Sequence, residues 1–236
     1  MKFLDVPALA DLTSFLDDRL MGNAILHGRA EVYSCKDTGD DKRLRKHLEK
    51  HYQSQLKESP AAYSSSPLGS MQDPKMRRHL INMIITMNSA FPDYDFSSLT
   101  PDHFVRRFRL EEITSSVNNH LAELEEISKG FLEQMWRAID DTIDVNKSKM
   151  YSYVPDLEGD PFSTVGCIWS FNYFFYNKEK KQILYFTCMG KSHLARNDDD
   201  FGMGEDGYDS DERELRENEY HVSFEDDDAD MTFRIE

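Results

Sequence analysis

Two β-favouring runs in the last third of this 236-residue chain constrain its fold more than any other feature. Cys167 to Tyr176 reads CIWSFNYFFY, and Gln182 to Cys188 reads QILYFTC. Aromatic and β-branched residues favour strands, and the polar residues 177–181 between the runs are typical of a turn. Two strands that are joined by so short a turn pair antiparallel. The sequence therefore predicts a β-hairpin and with it an antiparallel sheet.

A further strand is predicted by strict alternation over ILHGRAEVYS, residues 25–34. Leu26, Ala30 and Val32 fall on one side of this segment and charged residues fall on the other, which is typical of a half-buried strand. Met150–Val154 is a shorter strand candidate.

Apolar residues at steps of three and four predict helices in the rest of the chain. The predicted segments are 6–21, which ends at Gly22, then 40–56, 76–91, which stops before Pro92, 113–124, and 131–143, which follows a break at Gly130. We therefore predict an α+β domain, in which helices pack on one face of an antiparallel sheet.

Residues 53–74, QSQLKESPAAYSSSPLGSMQDP, are rich in serine and proline. This composition is typical of a flexible linker. The predicted organisation is one globular domain in two parts, residues 1–52 and 75–196, with the linker at 53–74 and an acidic, disordered tail at 197–236.

Charge is distributed unevenly along the chain. Residues 197–236 hold 17 acidic and three basic residues, whereas residues 1–196 hold 27 acidic and 25 basic residues. A near-neutral body with an acidic tail argues against direct, specific binding to duplex DNA, which needs a positive face. The tail is either a solubilising segment or an arm that engages a basic surface. Its apolar end, residues 231–235, is a candidate edge strand.

The longest apolar run, Leu80–Met87, is far shorter than the roughly 18 residues that a membrane-spanning helix needs. The first residues lack the continuous apolar stretch of a signal peptide. The three cysteines form no Cys-x-x-Cys pair. We therefore expect a soluble intracellular protein without a membrane association.

A search for catalytic motifs gives little. Glycine-rich phosphate loops are absent, and His47 and His51 lack a third metal ligand. A small hydrolase that uses Asp156 or Asp160 is an alternative, but acid pairs of this kind are more often solvated or turn-forming residues. We expect no enzyme activity, no cofactor and no metal.

The aromatic hairpin also leaves two interpretations open. Trp169, Phe171, Tyr173 and Phe175 share one face, and Lys178, Lys180 and Lys181 follow them. Such a pattern suits either the core face of a sheet, which we favour, or a stacking platform for single-stranded nucleic acid in an interaction scaffold.

The linker contains candidate phosphorylation sites at Ser59, Ser64, Ser65, Ser66 and Ser70, with Ser-Pro steps at Ser59 and Ser66. A phosphate there would add charge of about −1.5 to −2 and alter a docking surface.

Three blocks of sequence, in order, carry a resemblance to a known family. They are ILHGRAEVYSCKDTGDDK at residues 25–42, FPDYDFSS at residues 91–98, and YSYVPDLEGDPF with WSFNYFFYNKEKKQILYFTC between residues 151 and 188. These blocks resemble the Maf-type repressors of RNA polymerase III, and the resemblance runs from the first residues to about Cys188.

The resemblance implies a non-enzymatic regulator of transcription. It implies that the protein binds the clamp region of RNA polymerase III and blocks recruitment of the polymerase to its promoter-bound initiation factor. It also implies control by protein kinases and phosphatases in response to nutrients and stress, with shuttling between cytoplasm and nucleus.

The matched blocks supply candidates for polymerase contact or for the surface that joins the two parts of the domain. These are Lys36, Asp40, Asp41, Lys42, Asp93, Tyr94 and Asp95. The aromatic residues of the third block are assigned to the core. One departure is that the basic clusters at residues 43–47 and 77–79 lack a serine or threonine placed for a basic-directed kinase.

Overall fold

A computed structural model describes residues 1–59, 66–155 and 160–194 of the chain. The acidic tail, Ser64, Ser65 and Asp156 lie outside these described residues. The helices are α1 (Pro7–Leu16), α2 (Gly39–Glu58), α3 (Pro74–Ala90), α4 (Leu110–His120), α5 (Ala122–Ile127) and α6 (Phe131–Ile143). The strands are β1 (Lys2–Leu4), β2 (Arg19–Met21), β3 (Ala24–Ser34), β4 (Phe104–Arg107), β5 (Ser148–Tyr153), β6 (Cys167–Asn177) and β7 (Gln182–Ser192).

The strands form one antiparallel sheet in the order β1-β3-β7-β6-β5-β4, and β2 also pairs with β3. The predicted hairpin is β6 and β7, with Asn177 opposite Gln182. The Asn177 carboxamide oxygen closes the turn because it accepts the backbone N–H groups of Glu179 and Lys180. β3 pairs with β7 over its full length, from Ala24 opposite Ser192 to Ser34 opposite Gln182. The hairpin and the strand at residues 25–34 are confirmed.

Helices cover both faces of this sheet, so the α+β class is confirmed but the placement of all helices on one face is wrong. One core lies between the sheet and the helices α2 and α3, and it includes Tyr151, Phe174 and Tyr185. The other lies between the opposite face and α1, α4, α5 and α6, and it includes Phe175 and Phe186. Adjacent residues of β6 and β7 therefore enter different cores, because successive side chains of a strand point to opposite faces. Both faces of the hairpin are buried, which explains why apolar residues follow one another along its strands.

The first helix is shorter than its sequence pattern predicts. α1 ends at Leu16, and residues 19–21 turn back as β2 to pair with β3 through the bend at Gly22 and Asn23, where Gly22 has φ 54°. Leu20 continues the helical spacing of the apolar residues, yet it is 56% exposed. Strand pairing with β3 satisfies the backbone of residues 19–21, so the helix does not continue.

α1 packs against the edge of the sheet between β1 and β2. The Thr13 hydroxyl accepts the backbone N–H of Ala30 at 3.1 Å and also lies 3.4 Å from the Ala30 carbonyl oxygen. Gly28 permits this close packing, since a Cβ atom there would lie 2.7 Å from the Leu16 Cβ. The helix therefore covers an edge that would otherwise expose unpaired backbone groups.

The predicted flexible linker at residues 53–74 is wrong in its described parts. α2 continues to Glu58, and α3 already begins at Pro74 with its first turn capped by Asp73. Between them, Leu68 and Met71 are fully buried in the core beneath α3, and the Pro67 carbonyl accepts the backbone N–H of Arg106 in β4. Residues 66–73 are therefore a packed turn. The prediction failed because it weighed the serine and proline content of the segment and not the two apolar residues, Leu68 and Met71, that anchor it.

The remaining helical segments lie close to where the sequence predicts them. α3 follows the apolar spacing, while the helix predicted over 113–124 is two helices, α4 and α5, that are separated at Leu121. α6 begins after Gly130, which has φ 80°. Within the described residues, no helix combines the length and apolar character that a membrane span requires.

Candidate partner-binding surface

The first matched block ends at the N-terminus of α2. Thr38 and Asp41 form a capping box there, in which the Asp41 carboxylate accepts the Thr38 backbone N–H at 2.7 Å. Asp41 also pairs with the terminal ammonium of Met1. Burial raises the pKa of Asp41, but hydrogen bonds from the Met1 ammonium and Thr38 outweigh it and hold this pKa below its usual range. Asp41 is therefore a structural carboxylate that holds the start of α2.

The other predicted residues of this block are exposed. Lys36 and Lys42 point to solvent, and Asp40 makes a surface ion pair with Arg43 one turn along the helix. Such exposed pairs contribute little to stability. These three side chains are accessible to a partner.

The second matched block is the loop after α3. Tyr94 is half-buried against the rings of Phe91 and Phe96. Asp95 accepts the backbone N–H of Ser97 at 2.9 Å, and its hydrogen bonds with Ser97 lower its pKa. Asp93 and Asp95 are exposed. Tyr94 and Asp95 thus shape the loop, and the loop presents its two carboxylates to solvent.

The structure brings both blocks to the same end of the α2–α3 pair. Met1 links the first block to α3, because its amino group contacts Asp41 while its sulfur accepts the Thr86 hydroxyl at 3.2 Å. Thr86 lies four residues before the end of α3, which is about 6 Å along a helix axis. The loop with Asp93 follows directly, so the two blocks share one end of the helical layer.

Most contacts that join the two parts of the domain were missed by sequence reasoning. Arg45 of α2 donates to both Asp37 carboxylate oxygens at 2.6 and 2.7 Å and to the Asn82 oxygen of α3 at 2.8 Å. Arg77 of α3, which is buried, donates to Glu49 at 2.9 Å.

Tyr52 makes a third contact of this kind, since its hydroxyl donates to the Leu99 carbonyl at 2.8 Å. Charged residues on a helix usually face water, so the sequence pattern does not indicate that Arg45 and Arg77 contact the neighbouring helix.

The phosphorylation candidates differ in accessibility. Ser59 is exposed at the C-terminal end of α2. Ser66 and Ser70 are half-buried, and the Ser66 hydroxyl donates to the Gly69 carbonyl at 2.7 Å. A phosphate at Ser66 would break this bond inside the packed turn, whereas one at Ser59 would meet solvent.

The aromatic side chains of the hairpin lie inside the molecule. Phe171, Tyr173 and Phe175 are buried in the core that α1, α4, α5 and α6 cover. Trp169 is half-buried and lies across Gly190, where a Cβ atom would approach the indole ring to 2.7 Å. The Trp169 ring also contacts the rings of His120 and Phe171. The burial of Phe171, Tyr173 and Phe175 agrees with the core interpretation.

Two histidines and several acids were candidates for chemistry. Asp160 is buried and accepts the Tyr153 hydroxyl and the Phe162 backbone N–H. Burial raises its pKa, although these hydrogen bonds oppose the effect. His47 and His51 are exposed on α2, and among the described residues no three His, Cys, Asp or Glu side chains are grouped to hold a metal ion.

His79 is a buried histidine that sequence reasoning did not single out. Its Nδ1 lies 2.7 Å from the Tyr151 hydroxyl. Burial, together with the nearby cations Lys149 and Arg106, lowers its pKa to about 4. His79 is therefore neutral at physiological pH, and its ring packs against the ring of Tyr151 beneath α3.

Comparisons with known proteins agree on one family. The family model described as Maf1 regulator matches residues 26–187. A protein from Dictyostelium discoideum named repressor of RNA polymerase III transcription is 30% identical, over 85% of this chain and 88% of its own length. A protein from Schizosaccharomyces pombe with the same name and the suffix maf1 is 35% identical, over 84% of this chain and 87% of its own length.

A solved structure is similar as well. The crystal structure of citrus MAF1 superposes with a TM-score of 0.63 at 31% identity and covers 80% of this chain and 99% of the citrus chain. The fold and the sequence blocks therefore have the same relatives.

Proposed function

Because this chain belongs to the Maf1 regulator family, we propose that it represses transcription by RNA polymerase III. The family match over residues 26–187 carries this proposal. Two relatives that align over most of their length bear the name of such a repressor, which supports a regulatory rather than an enzymatic role.

We further propose that repression works through direct binding to the polymerase. The protein would occupy the clamp region and block recruitment to the promoter-bound initiation factor. The exposed side chains at one end of the α2–α3 pair, namely Lys36, Asp40, Lys42, Asp93 and Asp95, are accessible for such a contact. Their mixed charges suit a protein partner better than a phosphate backbone.

Control by phosphorylation and shuttling between cytoplasm and nucleus complete the proposal. Ser59 supports it best among the described candidates, because it is exposed and precedes a proline. Protein kinases and phosphatases would then change the charge beside the end of α2.

The test combines capture and transcription with purified components. We expect the full chain to retain RNA polymerase III on a resin and to lower transcription of a tRNA gene in a reconstituted assay. A double variant, Lys36→Glu with Lys42→Glu, should weaken both effects, since charge reversal in a protein contact opposes association.

The matched control is Lys50→Glu with Lys57→Glu, which reverses two other exposed charges on α2. It should leave capture and repression unchanged. If the unaltered chain neither binds the polymerase nor lowers transcription, the proposed function is wrong. If the double variant also behaves like the unaltered chain, repression stands and the assignment of this surface fails.

A further inference from the structure

A basic cleft lies where α2, α3 and the β6–β7 turn meet. Its main cavity has a volume of 370 Å³ and is lined by Arg45, Arg78, Lys178 and Lys181 among other residues. A second cavity of 330 Å³ shares Arg45 and Arg78 and adds Lys42 and Lys46. These six cations come from three separate segments of a chain whose formal net charge is −16.

The acidic residues of the cleft already have partners. Asp37 is held by Arg45 through two hydrogen bonds, and Glu49 accepts from the buried Arg77. Arg78, Lys178 and Lys181 are exposed and make no ion pair with any described residue. The cleft therefore keeps a surplus of positive charge.

Positive charge continues beyond the cleft towards β4 and β5. Burial lowers the pKa of Lys149, and the neighbouring cations Arg106, Lys75 and Lys178 lower it further, while Asp73 opposes them. Like charges so close together destabilise the folded state. Asp73 is the acid that opposes these cations at Lys149.

We propose that the basic cleft is a docking site for an extended, carboxylate-rich peptide segment of a partner protein. A guanidinium and two ammonium groups around one concave surface can each donate hydrogen bonds to a carboxylate. An extended chain advances about 3.3 Å per residue, so a short acidic segment can run from one cavity into the other.

A peptide suits the cleft better than a nucleic acid. Binding of single strands relies on exposed aromatic rings on which bases stack. Tyr176 is the aromatic residue of the cleft, and its half-buried ring lies 4.7 Å from the ring of His79. Duplex DNA requires a broad positive surface, whereas residues 1–196 hold 25 basic and 27 acidic residues.

The inference goes beyond the proposed repression, because it concerns ligand chemistry and can be measured without a polymerase. The probe is a fluorescein-labelled decapeptide of alternating aspartate and glycine, and its control has asparagine in place of aspartate. Fluorescence anisotropy with the full chain at 0.15 M salt gives the affinity. At this ionic strength the Debye length is about 8 Å, so repulsion from distant acidic residues is screened.

The decisive variant is Arg78→Ala with Lys178→Ala and Lys181→Ala. We expect the unaltered chain to bind the acidic peptide and not the asparagine peptide, and the triple variant to bind it about tenfold more weakly. The control variant, Lys2→Ala with Lys57→Ala and Lys129→Ala, removes three exposed charges elsewhere and should change affinity by less than about twofold. All six side chains are exposed, so both variants should retain the far-ultraviolet circular dichroism of the folded chain.

Three outcomes would overturn the proposal. One is that the acidic peptide does not bind the unaltered chain. Another is that both triple variants lose affinity equally, which would indicate a general charge effect. The third is that a single-stranded oligothymidylate with five phosphates binds the cleft more tightly than the peptide and loses affinity in the cleft variant, which would assign the cleft to nucleic acid.

Discussion

Leu68 offers a direct test of the packed turn at residues 66–73. Its side chain is fully buried in the core beneath α3, and Met71, three residues later, is fully buried beside it. Replacement by alanine removes buried methyl groups and leaves a cavity, which costs about 2–5 kcal/mol in well-packed cores. If these residues only tethered α2 to α3, the same substitution would cost almost nothing.

The free energy of unfolding is measured by urea titration, followed by circular dichroism and tryptophan fluorescence. For a domain of this size, each 1 kcal/mol lowers the melting temperature by roughly 2–4 °C, so we expect a drop of roughly 4–20 °C for Leu68→Ala. The urea dependence should keep its slope, since the surface exposed on unfolding hardly changes.

Leu194→Ala is the matched control, because it makes the same chemical change at a side chain that is 73% exposed. It should alter stability by less than about 0.5 kcal/mol. Equal effects of the two substitutions would refute the reasoning that residues 66–73 belong to the core.

Two further predictions concern the side chains of Thr13 and His79, each of which makes a polar contact with another element. Thr13→Val keeps the shape of the side chain but leaves the Ala30 N–H at the sheet edge without its acceptor, so the free energy of unfolding should fall by about 1–3 kcal/mol. Thr13→Ser keeps the hydroxyl and should retain most of the stability of the unaltered chain. Equal urea midpoints for the two variants would contradict this reasoning. The pKa of His79 is about 4 in the folded protein and 6.5 ordinarily, so its contribution to stability is complete above about pH 6.5 and is lost as the pH falls to about 4, by roughly 3 kcal/mol. The difference in unfolding free energy between the unaltered chain and His79→Gln, measured across this range, should therefore shrink towards low pH, and a constant difference would show that His79 does not titrate as inferred.

Regular elements were predictable because their signals are local. The apolar spacing of α3 and the alternation in β3 depend on residues within one element, and the fold reproduces both. The predictions fail at segments whose conformation depends on pairing with residues far away in the chain. Residues 19–21 continue a helical pattern but pair with β3, and the three-residue strand β1 has too little sequence to show a pattern.

The candidate surface divides in the same way. Sequence blocks identified Lys36 and Asp93, and their assignment to polymerase contact stays a prediction. Sequence alone did not reveal that Asp41 holds the start of α2 or that Arg45 reaches Asn82, 37 residues away. The basic cleft could not be predicted from the sequence either, because Arg78 and Lys181 become neighbours only when α3 packs beside the β6–β7 turn.

The sequence by itself determined the class of fold, the central hairpin and the family, because side-chain periodicity and motif order are properties of the linear chain. The tertiary structure decided that helices cover both faces, that residues 66–73 are packed and that Arg78, Lys178 and Lys181 line one cleft. Burial and charge depend on which segments meet after folding, and segments far apart in the chain meet only through the packing of the whole domain.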